Sequence, residues 1–143
     1  HWDTYAKAAT AAGNSAERAS WRIARDIFVG PTPKIARERA RAVLGRNYDV
    51  HQLPSRKGTV QMELMKIDPG MKDEEVNVEY LMENVWIVGD PEECANKVRA
   101  LYEDVGGFGT LLSITADSDD VSWDHESLTL LAKEVGPRIA DLG

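Results

Sequence analysis

The clearest pattern of apolar and polar positions lies in the C-terminal half of the chain. Residues 86–88, Trp-Ile-Val, form a short apolar run that predicts a strand. Residues 90–93, Asp-Pro-Glu-Glu, predict a capping box with proline at the first helical position. The apolar stripe of the predicted helix is Cys94, Val98, Leu101 and Val105. Gly106-Gly107 then supplies a left-handed stop before a strand at residues 110–115. This unit is typical of an α/β barrel or a doubly wound sheet.

The N-terminal half predicts a helix, a strand and a second helix. Residues 2–12 carry apolar side chains at helical spacing, and Gly13-Asn14 ends the run. Residues 21–29 alternate at first and then become continuously apolar, as expected of a largely buried strand. Thr32-Pro33 starts the next helix, which we expect Gly45 to stop. The predicted buried face of this helix is Ile35, Ala36, Ala40, Val43 and Leu44.

Helical periodicity is lost between Arg46 and about Lys72, a segment rich in proline, glycine and methionine. A loop of this length in a compact domain is usually functional or disordered. Residues 73–82 look helical again, with an acidic first turn that suits the helix dipole. A last helix is expected at residues 125–142, kinked or ended early at Gly136-Pro137. Its predicted buried positions are Leu128, Leu131, Val135 and Ile139. The order of elements predicts an α/β fold.

Composition limits the classes of function. The 143 residues carry a net charge of −7, and the short basic cluster at residues 34–41 is expected to be a solvated helix face. An acidic chain without an extended basic stripe argues against nucleic-acid and membrane partners. No apolar run approaches the roughly 20 residues of a membrane span. Cys94 is the single cysteine and no signal-peptide pattern is present, so we predict a cytoplasmic protein.

The sequence gives little support for a metal site, a reactive cysteine or a dinucleotide-binding motif. The acidic stretch with His125 lacks the spacing of a calcium loop, and we expect it to cap the last helix without binding a metal. Its carboxylates are Asp117, Asp119, Asp120 and Asp124. Cys94 lies on an apolar helical stripe and is expected to be an inert core residue. The glycines at 106–109 follow a helix and precede a strand, the reverse of a dinucleotide fingerprint.

Five blocks of sequence carry a resemblance to a known family. They are residues 22–29 with Thr32, residues 44–48, residues 88–94, residues 106–112 and residues 128–137. In this order they resemble the bacterial luciferase-like flavin-dependent monooxygenases, and most of all the limonene or alkane monooxygenase branch. That family folds as a TIM barrel with an insertion, and its members are about twice this long or more. The resemblance implies that the chain, which does not begin with Met, is the C-terminal part of such a barrel. It would be a single partial domain, 1–143, with about three strands and flanking helices.

The resemblance also implies a chemistry. Complete members use reduced FMN from a partner reductase, together with molecular oxygen, to oxygenate an organic substrate. Their flavin contacts come largely from loops upstream of this portion, so the chain alone is expected to be inactive and to bind flavin poorly. Residues 46–72 resemble the mobile insertion loop that covers the site and excludes water.

The residues that carry the reaction are not assigned by this resemblance, but there are four candidates for the substrate pocket, two from the resemblance and two from their positions in the predicted elements. Asn47 and Tyr48 stand where the family places pocket-lining residues. His51 lies in the predicted loop, where it is either a titrating pocket residue or a solvated one. Thr32 follows a strand at the end where barrels keep their active sites, although helix capping explains it as well.

Two other functions remain open at this stage. The chain could be a non-catalytic α/β fragment that is stable by self-association, or part of a deazaflavin-dependent oxidoreductase of the same superfamily. Three strands cannot close an eight-stranded barrel. We therefore expect the unpaired strand edges to meet another copy, in a homo-oligomer, or a further segment of the parent protein.

Overall fold

The computed structural model describes residues 2–116 and 118–142, and these form an α/β fold. The helices are α1 (Trp2–Ala11), α2 (Pro33–Ala40), α3 (Leu53–Arg56), α4 (Val60–Glu63), α5 (Val78–Asn84), α6 (Pro91–Val105), α7 (Val121–Leu130) and α8 (Gly136–Arg138). The strands are β1 (Arg22–Val29), β2 (Ile87–Gly89) and β3 (Thr110–Ile114). The predicted architecture of three parallel strands with flanking helices is confirmed. Among the described residues, no helix is long and apolar enough to cross a membrane.

The first strand lies in the middle of the sheet, whose order is β2-β1-β3. Its two halves have different partners. Arg22 to Asp26 pairs with β3, and Ile27 to Val29 pairs with β2. Beyond the end of β3, the hydroxyl of Ser127 takes over as partner and accepts a hydrogen bond from the Val29 amide at 2.8 Å. The buried serine thereby ties α7 to the carboxyl end of β1.

Helices cover both faces of this sheet. Crossovers between parallel strands are almost always right-handed, so reversing direction along the sheet moves the next helix to the other face. One core joins α2 and α5 to β1 and β2 through Phe28, Ala36, Ala40, Leu81 and Val88. The other core joins α6 and the C-terminal helix to the opposite face through Ile27, Ile87, Cys94, Val98 and Val135. Both cores are present within the described residues, while closure into a full barrel remains a prediction.

The predicted stop at Gly45 is wrong, because the helix continues to Arg56. Between α2 and α3 run two π-helical turns, Arg41–Gly45 and Tyr48–Gln52, so residues 33–56 form one continuous helix, here called the long helix. Gly45 lies on its buried face, where a Cβ would come within 3.0 Å of a Val78 methyl carbon. This glycine therefore serves close packing and not a left-handed turn. Much of the segment predicted as a loop is helical, and its mobility remains a prediction.

Two of the three described π-helical turns, but not Arg41–Gly45, come just before a proline. A proline inside a helix removes one backbone hydrogen bond and clashes with the preceding turn. Pro54 follows the turn Tyr48–Gln52, and Pro137 likewise follows a π-helical turn at Leu131–Val135. A wider turn just before each proline lets the helix pass it. The C-terminal helix consequently runs through Gly136-Pro137 before it ends at Arg138.

Most predicted boundaries are confirmed, and the differences have local causes. Gly13 and Gly106, at the ends of α1 and α6, have φ of 75° and 74°. The predicted helix at 73–82 splits into a 3-10 turn at Asp73–Glu75 and α5, whose N-cap is Asn77. The last helix starts at Val121, four residues earlier than expected, because Asp120 caps it. Leu128, predicted to be buried, is 49% exposed.

Part of one sheet face is not covered by any of the described residues. Ala24, Leu112 and Ile114 lie on the same face as Phe28, because residues in register on parallel strands point to the same side. Leu112 is 49% and Ile114 is 47% exposed, whereas Phe28 is 3% exposed beneath the helices. The sheet therefore has a covered end near β2 and an open apolar area along β3.

Candidate functional site

A cleft opens beside the carboxyl end of β3. After β1 the chain crosses to β2 on one side of β1, whereas β3 pairs with the other side of β1. The carboxyl ends of β1 and β3 therefore form a topological switch point. Open α/β sheets bind ligands in crevices at such points. The cleft has a volume of about 560 Å³ between the long helix and the segment that follows β3. Its lining includes Asn47, Val50 and His51 from the helix and Thr115, Ala116 and Asp119 from that segment.

The long helix brings two of the predicted pocket residues into this cleft. Asn47 and His51 are four residues apart and so share one side of the helix. Asn47 is half-buried and His51 is exposed. At the rim, Arg46 forms an ion pair with Asp119 at 3.1 Å, and both side chains are largely exposed. An exposed pair of this kind adds little stability, but it marks the mouth of the cleft with charge.

Tyr48 points away from the cleft and into the covered face of the sheet. Its hydroxyl donates a hydrogen bond to Oδ2 of Asp26 at 2.8 Å. Its ring meets the indole of Trp86 edge to face, with centroids 4.8 Å apart. Burial and the nearby Asp26 carboxylate raise the pKa of Tyr48 to about 12, so the phenol holds its proton throughout the physiological range.

Asp26 is the most unusual residue of the sheet, since it places a carboxyl among apolar strand residues. It is half-buried, and this burial raises its pKa above the usual range, while the bond from Tyr48 acts in the opposite direction. Arg56 also lowers this pKa and lies 5.7 Å from the centre of the Tyr48 ring. Gln52 holds the Arg56 guanidinium through a hydrogen bond of 2.7 Å. The long helix thus carries both Tyr48 and Arg56, the two side chains from outside the sheet that act on Asp26.

Sequence reasoning did not find Asp26, Trp86 or Arg56. The available signal was one acidic residue at the centre of an apolar strand, between Ile23 and Val29. Such a residue needs a partner from elsewhere in the fold. The partner, Tyr48, comes from a helix that the sequence appeared to end at Gly45, so the pair could not be assembled in advance.

The remaining candidates lie elsewhere. Thr32 caps α2, with its hydroxyl accepting a hydrogen bond from the Ile35 amide at 3.3 Å, and is exposed. Asp120 caps α7 through the Ser122 amide at 3.0 Å, as the acidic segment was expected to do. Asp124 accepts a hydrogen bond from the Ser118 hydroxyl at 2.7 Å. Asp117 lies outside the described residues, within which no cluster of His, Cys, Asp and Glu could hold a metal.

Basic side chains near this end of the sheet are paired with acids. The pairs are Lys34 with Glu38, Arg37 with Glu93, Arg39 with Glu126, Arg41 with Glu79 and Arg46 with Asp119. The cluster at residues 34–41 is ion-paired, and Lys34 and Arg41 are also exposed, as expected of a solvated face. Glu93 binds Arg37 at 3.3 Å, whereas the expected return bond of the capping box to the backbone is not formed. The other half of that box is confirmed, because Asp90 accepts from the Glu93 amide at 2.9 Å.

These features define an α/β protein with a ligand-sized cleft at the carboxyl ends of parallel strands, and comparison with known proteins gives the family. The family described as luciferase-like monooxygenase matches residues 2–108. The chain belongs to this luciferase-like monooxygenase family.

Relatives of known activity come from Pseudomonas putida. The chain is 31% identical over 142 residues to its 3,6-diketocamphane 1,6-monooxygenase, covering 97% of this chain and 37% of that protein. It is 33% identical over 147 residues to 2,5-diketocamphane 1,2-monooxygenase 1, covering 97% of this chain and 39% of that protein. The chain thus spans less than two-fifths of the length of these relatives.

A solved structure supports the fold. It is a type II Baeyer-Villiger monooxygenase, the oxygenating constituent of the P. putida 3,6-diketocamphane monooxygenase, in complex with FMN. It superposes with a TM-score of 0.86 at 31% identity, over 96% of this chain and 38% of that one. The described residues therefore adopt the conformation of one part of a larger FMN-binding monooxygenase.

The long helix between residues 34 and 46 and the start of α6 do not by themselves form a site for the phosphate of FMN. A phosphate site needs several free donors, such as unpaired arginines or backbone amides. Here each basic side chain of the long helix between residues 34 and 46 already binds a carboxylate. The start of α6 carries Glu92 and Glu93 in its first turn, which would repel an anion.

Proposed function

We propose that this chain is part of a monooxygenase that uses reduced FMN and molecular oxygen to oxygenate an apolar organic substrate. The observation that carries the proposal is the match to luciferase-like monooxygenases together with a cleft at the carboxyl end of the sheet. Reduced FMN, when bound, would supply the reactivity toward oxygen. The residues of this chain would bind and orient the substrate and keep water out.

An apolar substrate suits the open part of the sheet face. Ala24, Leu112 and Ile114 form an apolar surface next to Thr115 and Ala116, which line the cleft. Burial of such a surface by a carbon skeleton is favourable at about 25 cal/mol per Å². Two relatives are named for diketocamphane, a compact carbon skeleton with two carbonyl groups. We propose a substrate of the same kind for this protein.

The flavin would be held mainly by other parts of the parent protein, since Arg46 is the one arginine among the residues that line the cleft and it already pairs with Asp119. The solved relative is named as the oxygenating constituent of its system. We accordingly propose a separate flavin reductase as partner. A homo-oligomer and a cytoplasmic location also remain predictions for the parent.

An assay with a purified flavin reductase tests the proposal. The protein at its native length is mixed with reductase, NADH, FMN and 2,5-diketocamphane, and products are analysed by mass spectrometry. We expect a product heavier by one oxygen atom that depends on every component. Reductase alone controls for uncoupled oxygen consumption. Activity only when a reduced deazaflavin replaces FMN would support the alternative oxidoreductase, and no turnover with either cofactor would contradict both.

Self-association is a second candidate property for the chain as an isolated fragment. This candidate property is suggested by the exposure of Leu112 and Ile114 beside an edge of β3 that pairs with no other strand within the described residues. Sedimentation of the 143-residue chain should then give a dimer or larger species. Substitution of both residues by Thr, which keeps β-propensity but reduces apolar area, should shift the population toward monomer. A wild-type monomer at all concentrations would exclude this property.

A further inference from the structure

The segment between the long helix and α5 closes on itself. The Gly58 amide donates a hydrogen bond to Oδ2 of Asp73 at 2.8 Å, and just outside this bond Lys57 pairs with Glu74 at 2.9 Å. Gly58 has a φ of 70°, in the left-handed region that glycine adopts without strain. A compact surface loop whose two ends are held together is an Ω-loop, a form that is often functional. Residues 58–73, here called the strap, form such a loop.

Lys66 lies in the middle of the strap and joins its two halves. Its Nζ lies 2.6 Å from Oε1 of Glu63 and 2.8 Å from Oδ1 of Asp73. The Lys66 side chain is 5% exposed, and further parts of the parent protein can only lower that value. Asp73 in turn uses its other oxygen for the Gly58 amide at the neck of the loop. Charges shielded from water are screened little by salt, and loss of one partner leaves the other uncompensated. An ionic cluster therefore holds the strap compact.

The strap is attached to the rest of the fold by contacts of another kind. The Tyr80 hydroxyl of α5 donates to the Met65 carbonyl at 3.0 Å and accepts from the Ile67 amide at 2.8 Å. Met62 and Met65 are 1% and 9% exposed and pack in the core that also contains Trp86. Methionine is unbranched and flexible, so such contacts can be released and remade without a unique fit. One hydroxyl and two thioethers thus hold the strap down, while ion pairs hold it together.

We propose that the strap opens and closes as one unit, with Lys66 as the clasp that keeps it compact and Tyr80 as the latch that holds it on α5. Opening would break both hydrogen bonds of Tyr80 and uncover Met62 and Met65, while the cluster around Lys66 stays intact. Segments of this kind open locally at a lower free energy than the whole protein unfolds.

This motion differs from that of the mobile loop over the site that the resemblance implies. The cleft is lined by the long helix and by the segment after β3, and the strap, which the structure describes throughout, adds no residue to that lining. The strap instead covers the Tyr48 side of the core. Arg56 contacts the Met65 sulfur at 3.7 Å and lies 5.7 Å from the centre of the Tyr48 ring. The inference therefore does not rest on the proposed function.

Methionine oxidation of the protein at its native length tests the latch. Dilute hydrogen peroxide converts accessible methionine to the sulfoxide, and mass spectrometry of peptides gives the rate at each position. Tyr80→Phe should raise the rates at Met62 and Met65 by the same factor, about tenfold, as expected for the loss of two hydrogen bonds of modest net strength. Met82 of α5, which is 7% exposed in the same core, should change less than about twofold. Tyr102→Phe on α6 is the matched control and should leave all three rates unchanged.

Hydrogen exchange, followed by mass spectrometry of overlapping peptides, tests the clasp. Lys66→Gln keeps the length of the side chain and removes its charge. Amides throughout the strap, Gly58 included, should then exchange about tenfold faster, because Asp73 loses its counter-charge. Lys34→Gln, at the exposed pair of Lys34 with Glu38, is the control and should not affect the strap. In Tyr80→Phe the Gly58 amide should stay within about twofold of wild type, since the neck remains closed when the latch opens.

Three outcomes would overturn the inference. Unchanged rates at Met62 and Met65 in Tyr80→Phe, or different factors at the two, would show that the strap does not open as a latched unit. An equal rise at Met82 would show that the whole core loosens. Unchanged exchange in Lys66→Gln would show that the ionic cluster does not hold the strap together. None of these measurements involves flavin or substrate, so the proposed function succeeds or fails separately.

Discussion

Two helices that begin in the same way end very differently. The long helix follows β1 and starts at Thr32-Pro33, and α6 follows β2 and starts at Asp90-Pro91. Each N-cap side chain accepts a hydrogen bond from the amide three residues later. Yet α6 stops at its glycine, Gly106, while the long helix passes Gly45. A glycine ends a helix only where the chain uses its left-handed conformation, and Gly45 instead lets Val78 approach closely.

The continuation of the long helix beyond Gly45 gives the two helices different roles. Helix α6 supports the fold, whereas the long helix also contributes residues to the candidate site. The buried positions of α6, Cys94 and Val98 among them, pack into the core on the far face of the sheet. Burial raises the pKa of the Cys94 thiol to about 12, which leaves it unreactive as expected. The long helix, by contrast, uses its extra turns to place Asn47 and His51 in the cleft and Tyr48 on Asp26. Tyr48 and His51 lie in its second π-helical turn, Tyr48–Gln52, and π-helical turns are frequent at functional sites.

The largest expected effect is at the glycine that connects β1 to the long helix. A Cβ at Gly30 would lie 2.7 Å from the Cα and N of Ala36, which are backbone atoms and cannot rotate away. Gly30→Ala should therefore cost about 3 kcal/mol of unfolding free energy, at the upper end of overpacking effects. Urea unfolding measures the change. Gly136→Ala is the control, because the nearest atom is a carbonyl oxygen at 3.6 Å, and a similar loss there would contradict the packing argument.

The next largest effect on the free energy of unfolding is expected for the hydrogen bond between Tyr48 of the long helix and Asp26. Tyr48→Phe removes the hydrogen bond to Asp26 and leaves a half-buried carboxyl without its partner, at a cost of about 1.5 kcal/mol. The matched change on α6 is Tyr102→Phe. Tyr102 packs against Phe108 with ring centroids 5.1 Å apart, a contact that phenylalanine retains. Equal losses of stability in the two variants would mean that the hydroxyl of Tyr48 adds nothing.

The pH dependence of the free energy of unfolding tests the role of Asp26, the partner of Tyr48. The pKa of Asp26 is raised in the folded protein, so its contribution to stability is fully present below the pKa of the unfolded chain and is lost as pH rises through the folded pKa. Asp26→Asn has no such titration. The variant should gain stability relative to wild type as pH rises from about 3 into the neutral range. Parallel stability curves for the two proteins would contradict the raised pKa.

A smaller effect on the free energy of unfolding is expected to distinguish Gly106 from Gly45. Gly106→Ala should cost about 1 kcal/mol, because its φ of 74° is strained for alanine. Gly45→Ala has no such penalty, and its methyl would instead press on Val78 at 3.0 Å. In a double-mutant cycle with Val78→Ala we expect a coupling of about 1 kcal/mol at Gly45 and none at Gly106. Additive changes at Gly45 would show that packing on Val78 is not the reason for glycine there.

Local signals in the sequence were sufficient for the strands and for the starts of the long helix and of α6, because caps and apolar runs act over a few residues, whereas the starts of α5 and α7 differed from expectation. They failed where a distant residue decides the outcome. Val78 determines what Gly45 does, and the wide turns before Pro54 and Pro137 let helices pass residues that usually end them. The same limit applies to the site. Asn47 was placed by resemblance and His51 by its position in the predicted loop, whereas the Asp26–Tyr48 pair joins a strand to a helix that was predicted to stop at Gly45.

The smallest expected difference in the free energy of unfolding lies between the two helix N-caps, Asp90 and Thr32. The same variants also test Thr32 as a candidate residue of the substrate pocket. Asp90→Ala should cost about 1 kcal/mol, since a carboxylate at 2.9 Å serves both the amide and the helix dipole. Thr32→Ala should cost about 0.5 kcal/mol, because its bond of 3.3 Å is longer and uncharged. Thermal unfolding measures both changes. If Thr32 is only a cap, kcat and KM of the native-length enzyme should respond to Thr32→Ala no more than to Asp90→Ala. A rise in KM confined to Thr32→Ala would instead give the threonine a place in the substrate pocket, and the start of the long helix would then belong to the site as well as its extension.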